Sequence, residues 1–245
     1  MNPKKIQVCL SPALLPFYDL NDTVAVVIDI FRASSSMCYG LANGAHAIIP
    51  VAEIDECLSY QDKGYLLAAE REGVVVEGFD FGNSPFSYTR EKVEGKTIVL
   101  TTTNGTRAIQ QCAGAEAVVI GSFLNITALS NWLRDQDRHI LLVCAGWKNH
   151  VSLEDSVFAG ALVNRLAGND SIEVDDAAHA ARILYLEAQG DLAAFLTKAS
   201  HSKRMRHLNI KRDIAFCLQV DKVSVIPILK DGVLTYLRED VQAAQ

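Results

Sequence analysis

The chain alternates between apolar, β-branched runs and segments with helical spacing, and this alternation limits its fold more than any other feature. The first run, TVAVVIDI at 23–30, is almost continuously apolar, as expected for a strand that is covered on both faces. Similar runs occupy 45–51, 96–102, 115–122 and 138–146. The pattern predicts an α/β fold with a mixed, largely parallel sheet and helices on both faces, a three-layer α/β/α architecture.

The segments between these strands carry the spacing of helices. Predicted helices span 34–44, 53–64, 106–114, 126–136 and 152–168. The stretch 172–217 is predicted to be mostly helical, and 223–237 to form a β-hairpin around Lys-Asp-Gly. Since no low-complexity linker interrupts the chain, we expect a single domain over 1–245.

Two strand–helix–strand units resemble each other weakly. With an offset of about 70 residues, ANGAHAIIPV falls opposite AGAEAVVIGS, and AVVIDIFRASSS falls near TIVLTTTNGT. This predicts a half-repeat over 23–64 and 97–135, although the common pattern of two βαβ units explains it equally well. In either case two hydroxyl-rich loops follow equivalent strands, and open parallel sheets bind ligands outside the carboxyl ends of their strands.

Composition and charge exclude several classes of protein. Hydrophobic residues make up 49% and charged residues 21%, which excludes a largely disordered chain. The net charge of -6 argues against nucleic-acid binding, which needs a basic face. Six cysteines without a C-x-x-C pair indicate reduced, buried thiols. Gln7, Pro12 and Pro16 interrupt any signal-peptide core, and no apolar run approaches the roughly 20 residues that span a bilayer, so we expect a cytoplasmic protein without membrane contact.

The segment DIFRASSS, residues 29–36, is the first candidate for chemistry. Asp29 ends an otherwise apolar strand, so its carboxylate needs a partner or an open strand end. With Arg32 and the serines at a helix start, it suits a phosphate and metal site. The alternative is structural: Asp29 pairs with Arg32, and a serine caps the helix.

The segment TTTNGTR, residues 101–107, is the second candidate. Strand propensity and an Asn-Gly turn explain its residues one by one, but not four hydroxyls, an amide and Arg107 within seven positions. We expect it to bind an oxyanion. It is not a Walker loop, because the lysine of that motif is missing.

The segment from Cys144 to 163 is the third candidate. Glu154 and Asp155 open a helix, and two carboxylates beside Asp29 would assemble an all-oxygen Mg²⁺ site at the edge that the first two loops reach. Alternatively they only complement the helix dipole. Cys144 is a candidate nucleophile, although a buried inert thiol is the more common state.

Two further segments have plainer interpretations. The run Gly-Asn-Ser-Pro at 82–85 predicts a turn. The basic cluster from His201 to Arg212, which includes Arg206, predicts a solvated helix face or a cation for an anionic substrate. The histidines show no zinc-binding spacing.

Several of these segments, in the same order, resemble the ComB-type 2-phosphosulfolactate phosphatases. The resemblance covers about 22–230 and is carried by VVIDIFRASS, VLTTTNGTRA, GSFLN, SLEDSVFAGALV, EGFDFGNSP and HLNIKRDIAFCLQVD. It implies a Mg²⁺-dependent phosphatase that converts 2-phospho-3-sulfolactate to sulfolactate and phosphate, a step of coenzyme M synthesis. It also implies an α/β architecture with the motif loops gathered at one site.

The resemblance also implies site residues. Transferred position by position, the motif residues are Asp29, Arg32, Ser34, Ser35, Thr101, Thr102, Thr103, Asn104, Gly105, Thr106, Arg107, Ser122, Asn125, Glu154 and Asp155. The chain departs from the family pattern at 69–71, where Ala-Glu-Arg replaces the expected Gly-Glu-Arg, and in the glycine-poor loop WKNHVS.

The resulting hypothesis is a Mg²⁺-assisted phosphatase that acts on a small anionic phosphorylated substrate. Asp29, with Glu154 or Asp155, would hold the metal. Phosphate oxygens would be bound by Arg32, Thr102, Asn104 and Thr106. Arg107 or the cluster around Arg206 would hold a carboxylate or sulfonate.

Several alternatives stay open. The nucleophile is an activated water, Asp29 through a phospho-aspartyl intermediate, or Cys144. The substrate is 2-phospho-3-sulfolactate or another phosphorylated hydroxy acid. A phosphotransferase or a non-catalytic metabolite-binding module would use the same residues. The oligomeric state, a homo-oligomer included, is not fixed by the sequence.

Overall fold

Strands and helices alternate along the chain and build one sheet with helices on both faces. The computed structural model describes residues 3–71, 73–167, 172–204 and 210–237. The strands are β1 (Lys4–Cys9), β2 (Thr23–Ile28), β3 (Ala47–Pro50), β4 (Leu66–Arg71), β5 (Val74–Val75), β6 (Thr97–Thr101), β7 (Ala117–Gly121), β8 (His139–Cys144), β9 (Ile172–Val174), β10 (Pro227–Lys230) and β11 (Val233–Tyr236). The α-helices are α1 (Ala33–Ala42), α2 (Ile54–Leu58), α3 (Arg90–Val93), α4 (Gly105–Gln111), α5 (Ile126–Arg134), α6 (Leu153–Leu166), α7 (Asp176–Ala188), α8 (Leu192–Leu196), α9 (Ser200–Arg204) and α10 (Lys211–Cys217). Short 3-10 helices span Pro12–Phe17, Pro85–Ser87 and Phe123–Asn125.

The side chains of β2 explain why the sheet has a helical layer on each face. Val24, Val26 and Ile28 pack into a core with α5, α6 and α7, whereas Ala25 and Val27 pack into a second core with α1 and α4. Successive residues of a strand point to opposite faces, so a continuously apolar strand needs cover on both sides. The predicted three-layer α/β/α architecture is therefore confirmed. Whether 1–245 forms a single domain with an internal half-repeat remains a prediction.

The strand order shows where the predicted hairpin lies. The strands pair in the order β5-β4-β6-β3-β11-β10-β7-β2-β8-β1-β9. The hairpin of β10 and β11 is present, with Asp231 at φ 51° and Gly232 at φ 79°. Positive φ at both central residues is typical of the tight turns that match strand twist. The hairpin joins two groups of parallel strands, one ending at β3 and the other beginning at β7.

Several element predictions need correction. The segment 172–217 begins with β9, which pairs in parallel with β1 and is not helical. Of the helix predicted over 53–64 only α2 forms, because Asp62 and Gly64 adopt positive φ, which a right-handed helix cannot continue. The strands β1, β4 and β5 were not predicted. The residues LLAAER of β4 favour helices, and pairing with β6 overrides that preference.

The hairpin also reverses the direction of the sheet. Because β3 is antiparallel to β11, β11 to β10 and β10 to β7, the two parallel groups run in opposite directions. In a flat sheet the carboxyl ends of β2 and β6 would then lie at opposite edges, so the predicted single edge is wrong. Adjacent strands twist by about 20–25°, and the five steps from β6 to β2 add up to roughly 100–125°. This rotation lets the two ends meet.

The meeting of these ends is visible at Gly105, the first residue of α4. A Cβ atom at this position would lie 2.6 Å from Oδ2 of Asp29, which follows β2. Glycine is therefore required for the approach of the two loops. Within the described ranges, none of the helices has the length and hydropathy needed to cross a membrane.

Candidate active site

Loops that follow four strands enclose a small polar cavity. They follow β2, β4, β6 and β8, and the first turn of α6 completes the wall. Seven residues singled out from the sequence line it: Asp29, Arg32, Thr102, Thr103, Asn104, Glu154 and Asp155. Its volume is about 30 Å³. A buried water needs at least roughly 10–15 Å³, so the cavity has room for a reacting group and not for a whole metabolite.

Asp29 lies between the first turns of α1 and α4. Burial, and next the negative charge of Glu70, raise the pKa of the Asp29 carboxyl to about 7. Hydrogen bonds from the backbone N–H groups of Ala33 and Gly105 oppose this rise in pKa by stabilising the carboxylate. A carboxyl group with a pKa near neutrality can exchange its proton at physiological pH, as a general base or acid must.

Asp155 ties two of the loops together. Its Oδ1 accepts a 2.9 Å hydrogen bond from the N–H of Ile30, and its Oδ2 accepts a 3.1 Å bond from the N–H of Gly146. Burial, and then the charges of Glu154 and Asp29, raise the pKa of Asp155 well above its usual range. Asp155 thereby holds the loop after β2 against the loop after β8, and its role as a metal ligand remains a prediction.

Arg32 is buried at the cavity wall and is held by α10. Its Nη1 forms an ion pair with Asp213, and its Nη2 donates a 3.2 Å hydrogen bond to the carbonyl of Gly73. Ser84 donates a 3.0 Å bond to the second oxygen of Asp213. The structural alternative, an Arg32–Asp29 pair, is therefore wrong. The guanidinium has a fixed orientation, which suits the recognition of phosphoryl oxygens.

The threonine loop divides into structural and unpaired hydroxyls. The N–H of Thr102 donates to Oγ1 of Thr106, and the N–H of Thr106 donates to Oγ1 of Thr102, both at 3.2 Å. Thr101 bonds the carbonyl of Ala52 at 3.1 Å. In contrast, the buried Oγ1 of Thr103 has no hydrogen-bond partner among the described residues. Thr103 lines the cavity, so its hydroxyl is available to a ligand.

Glu70 and Asn83 are cavity residues that the sequence did not identify as a site. Nδ2 of Asn83 donates a 3.0 Å hydrogen bond to Oε2 of Glu70, and Gly73 donates its N–H to Oε1. Oδ1 of Asn83 is buried without a partner in the described part of the chain. The available signals were the turn at 82–85 and the acidic residue at the end of β4, and neither indicates a pair.

Other wall residues come from the third loop and the segment before α10. Gly146, Trp147 and Ser152 belong to the loop between β8 and α6, and His201 and Ile210 belong to the later segment. His201 is only 4% exposed and its ring lies 5.2 Å from that of Phe31. The solvated face predicted for the basic cluster is therefore wrong at His201. Arg206 lies outside the described residues.

Several predicted ligand residues lie beneath the cavity instead of in its wall. The hydroxyl of Ser34 accepts a 2.8 Å bond from the N–H of Asp29, and Ser35 lies 2.9 Å from the hydroxyl of Ser122. Ser122 and Asn125 form a capping box at the 3-10 helix that follows β7. These polar groups hold the loops in place, and the structure gives them no contact with the cavity.

Two predicted catalytic residues lie outside the cavity wall. Arg107 is about half exposed and forms a 2.7 Å ion pair with Glu53. Cys144 is fully buried, and burial, followed by the charge of Asp155, raises the pKa of its thiol well above the usual range. A thiol held protonated is a poor nucleophile, so a catalytic Cys144 does not fit this placement.

The charge of the cavity wall creates a problem for an anionic ligand. Among the described residues, four carboxylates line it, from Asp29, Glu70, Glu154 and Asp155, together with the guanidinium of Arg32 and the imidazole of His201. Burial, and after it this crowding of negative charge, raises the pKa values of Asp29 and Asp155. A phosphate ester would be repelled here unless a cation entered with it or the carboxyl groups were protonated.

The donors of the cavity fit a hard divalent cation by their chemistry. They are oxygens of Asp29 and Glu154 and the unpaired Oδ1 of Asn83, and Mg²⁺ prefers such ligands. Within the described residues, however, no three His, Cys, Asp or Glu side chains form a preassembled metal-binding group. The fit therefore rests on the type of donor and on the unpaired amide oxygen.

Comparison with known proteins adds a family to this geometry. The family model for 2-phosphosulpholactate phosphatase matches residues 9–232. The chain belongs to the 2-phosphosulfolactate phosphatase family. The match includes all the loops around the cavity. The resemblance noted in the sequence is thereby confirmed, and with it the enzyme class of this family, the phosphoric monoester hydrolases.

Curated relatives in this family are similar over most of their length. A protein of Thermotoga maritima is 43% identical over 209 residues, 85% of this chain and 90% of the relative. One from Caldanaerobacter subterraneus subsp. tengcongensis is 39% identical over 220 residues, 88% and 91% of the two chains. One from Clostridium beijerinckii is 36% identical over 236 residues, 94% and 99% of the two chains. Each is named a probable 2-phosphosulfolactate phosphatase.

Proposed function

We propose that the chain hydrolyses 2-phospho-3-sulfolactate to 3-sulfolactate and phosphate, and that it requires Mg²⁺. The observation that carries this proposal is the cavity where the family motifs meet. There, carboxylates, a fixed guanidinium and an unpaired hydroxyl surround a space of about 30 Å³. The choice of substrate follows the names of the relatives. The requirement for a cation follows from the negative charge of the cavity wall.

The basic and hydroxyl groups would bind the phosphoryl group. Arg32 would donate to phosphoryl oxygens while Asp213 keeps its guanidinium in place. The hydroxyl of Thr103 would donate to another oxygen, because it has no partner in the described structure. Charge in the transition state of phosphoryl transfer spreads over the non-bridging oxygens, so fixed donors stabilise it more than the ground state.

Asp29 would handle the proton of the attacking water. Its pKa of about 7 allows it to accept a proton near neutrality, which suits a general base better than a nucleophile. A bound Mg²⁺ would neutralise part of the phosphate charge and polarise the ester. Asp29, Glu154 and Asn83 are the residues that would hold this ion. With the ion bound, the pKa of Asp29 would fall below the metal-free value of about 7, so that more of the group is ionised at neutral pH while each carboxylate is a weaker base.

Phosphate release tests the proposal. Purified protein is incubated with synthetic 2-phospho-3-sulfolactate in Mg²⁺, in chelator, and in chelator followed by excess Mg²⁺. The proposal predicts release only in the first and third conditions. Phosphate release that persists in chelator would show that hydrolysis does not require Mg²⁺. If the ester is bound but never hydrolysed, the chain is a metabolite-binding module, and phosphate transfer to an added alcohol would indicate a transferase.

A further inference from the structure

A second cavity adjoins the first and differs from it in charge. Its volume is about 470 Å³, and Thr103 and Asn104 line both cavities. Its other walls include Arg107 and Lys148, and none of the lining residues that the structure describes is acidic. One space thus carries four carboxylates, and its neighbour carries two cationic side chains.

The volumes of the two cavities indicate which part of a substrate each one can hold. The first has room for about two water-sized groups, which suits an ion and the phosphoryl oxygens beside it. A three-carbon acid that carries a second anionic group does not fit there as a whole. The rest of such a molecule has to lie outside the first cavity, and the second cavity, which shares Thr103 and Asn104 with it, has space for it.

The wall between the cavities is rigidly built. Oδ1 of Asn104 accepts a 3.1 Å hydrogen bond from the N–H of Lys148, which ties the loop after β6 to the loop after β8. Lys148 and the next residue, Asn149, have φ values of 47° and 65°. Such left-handed conformations outside glycine are uncommon, and they concentrate at functional sites. The unpaired hydroxyl of Thr103 lies in the same wall.

Arg107 of the second cavity can exchange its partner at low cost. Arg107 is paired with Glu53, but both side chains are more than half exposed, and exposed ion pairs contribute little free energy. The ammonium of Lys148 lies 5.3 Å from the ring centroid of Trp147, a residue of the first cavity. An anionic ligand can therefore recruit Arg107 without breaking a strong interaction, and Lys148 lines the same cavity.

We propose that the second cavity binds the second anionic group of the substrate, a sulfonate or a carboxylate, with Arg107 and Lys148 as its charge partners. This proposal rests on the proposed function, because it assigns a position to the part of the ester that is not hydrolysed. It makes the enzyme selective for phosphate esters of anionic acids. Arg107 and Lys148 act in this scheme as specificity residues and do not contact the reacting phosphorus.

Three esters separate the anionic groups in the test. 2-Phospho-3-sulfolactate carries a sulfonate and a carboxylate, O-phospholactate carries only the carboxylate, and p-nitrophenyl phosphate carries neither. We expect kcat/KM to fall in that order for the unmodified enzyme. In Arg107→Ala and Lys148→Ala, KM for 2-phospho-3-sulfolactate rises roughly 10- to 100-fold, as expected for the loss of a charge-assisted hydrogen bond, and the ratio of its kcat/KM to that of p-nitrophenyl phosphate falls with it.

Two further variants test whether the change in KM arises from the loss of Arg107 as a charge partner. Glu53→Gln frees Arg107 from its competitor and should lower KM for the doubly anionic ester about twofold, an effect of the opposite sign. If Arg107→Ala fails to fold, the KM of Glu53→Gln tests the role of Arg107 instead. Arg138→Ala is the matched control, because Arg138 also forms exposed ion pairs, with Asp22 and Glu116, and lines neither cavity. Its ester ratios should equal those of the unmodified enzyme.

The outcomes distinguish this inference from the function on which it rests. If Arg107→Ala, Lys148→Ala and Glu53→Gln all keep the selectivity of an active enzyme, the second cavity is not the anion subsite, and the phosphatase assignment stands. If the unmodified enzyme hydrolyses none of the three esters, both fall. A loss of discrimination between O-phospholactate and p-nitrophenyl phosphate assigns the carboxylate to the cavity. A loss confined to 2-phospho-3-sulfolactate assigns the sulfonate.

Discussion

Asn83 donates from Nδ2 to Oε2 of Glu70 at 3.0 Å, and this hydrogen bond fixes which way the amide points. A carboxylate accepts and does not donate, so the NH₂ group must face Glu70. Oδ1 is therefore left facing away, buried and without a partner in the described structure. A buried carbonyl oxygen in this state costs free energy unless a ligand completes it.

Asn83→Leu should weaken cation binding. The leucine keeps the branched shape of the side chain but removes the unpaired oxygen, together with the donor to Glu70, so the rise in melting temperature produced by Mg²⁺ should shrink. We expect kcat/KM to fall roughly 10- to 100-fold. Differential scanning fluorimetry with and without Mg²⁺ measures the first effect. Asn131→Leu, at an exposed position of α5, serves as the control, and an equal Mg²⁺ response in both variants would contradict the assignment.

Asp29→Asn should stabilise the metal-free protein at alkaline pH while abolishing activity. The folded-state pKa of about 7 lies above the unfolded value of 3.8, so the folded state binds this proton more tightly. Its stability therefore falls as the pH rises between these two values, and Asn removes that loss. The gain from Asp29→Asn should grow by up to about 3 kcal/mol between pH 5 and pH 8.

Urea unfolding in chelator at both pH values measures this gain. A gain of equal size at pH 5 and pH 8 would show that Asp29 does not titrate in this range. Adding Mg²⁺ should stabilise the unmodified protein and leave Asp29→Asn nearly unchanged, because the variant has lost one of the carboxylates proposed to hold the ion.

Arg32→Ala should reduce both activity and stability, for separable reasons. Loss of the guanidinium should weaken the binding of the phosphoryl group by about 1.5–3 kcal/mol, and kcat/KM should fall accordingly. Asp213 would be left buried without its partner, at a cost of about 3–5 kcal/mol. Adding Asp213→Asn should recover most of the stability and none of the activity. Near-normal kinetics of Arg32→Ala, or a double variant that regains activity, would show that Arg32 is purely structural.

Cys144→Ala should leave phosphatase activity intact. Burial holds the Cys144 thiol protonated, and the side chain acts as a small apolar filler at the end of β8. We expect the free energy of unfolding to fall by about 1–2 kcal/mol. The sensitivity of phosphatase activity to iodoacetamide should not change. A folded but inactive variant, or a phosphorylated cysteine in acid-quenched samples, would restore the thiol as a nucleophile.

Acid-quenched samples also address Asp29 as a nucleophile. With water as the attacking group, mass spectrometry of enzyme quenched during turnover should find no peptide that carries an added phosphoryl group. A phosphorylated peptide containing Asp29 would replace the general-base role with a phospho-aspartyl intermediate.

The parts of the site that the sequence predicts are those next to strand ends. Asp29, Thr102 and Glu154 each follow an apolar strand or open the helix after one, so the pattern marks all three as site candidates. The approach of the loop after β6 to the loop after β2 depends in addition on the reversal and twist of the sheet. The pattern cannot tell a hydroxyl that bonds its own backbone, as in Ser34, from one left unpaired, as in Thr103. That distinction depends on loop dihedral angles, which short motifs do not specify.

The parts that the sequence misses are made by tertiary pairing. Glu70 and Asn83 are 13 residues apart, and Asp213 lies 181 residues after Arg32. Glu70 lies in β4, a strand hidden by its helix-favouring composition. The sequence also does not predict that the two groups of parallel strands run in opposite directions, because this depends on where the hairpin of β10 and β11 inserts.

The central claim is that Asp29, Glu154 and Asn83 hold one divalent cation beside Arg32. A crystal structure grown with Mn²⁺ in place of Mg²⁺, and with phosphate, tests it most directly through the anomalous scattering of the metal. We expect a single peak within coordination distance of oxygens from Asp29 and Glu154, with phosphate contacting Arg32. A peak at another place in an active enzyme, or phosphate bound away from Arg32, would contradict it.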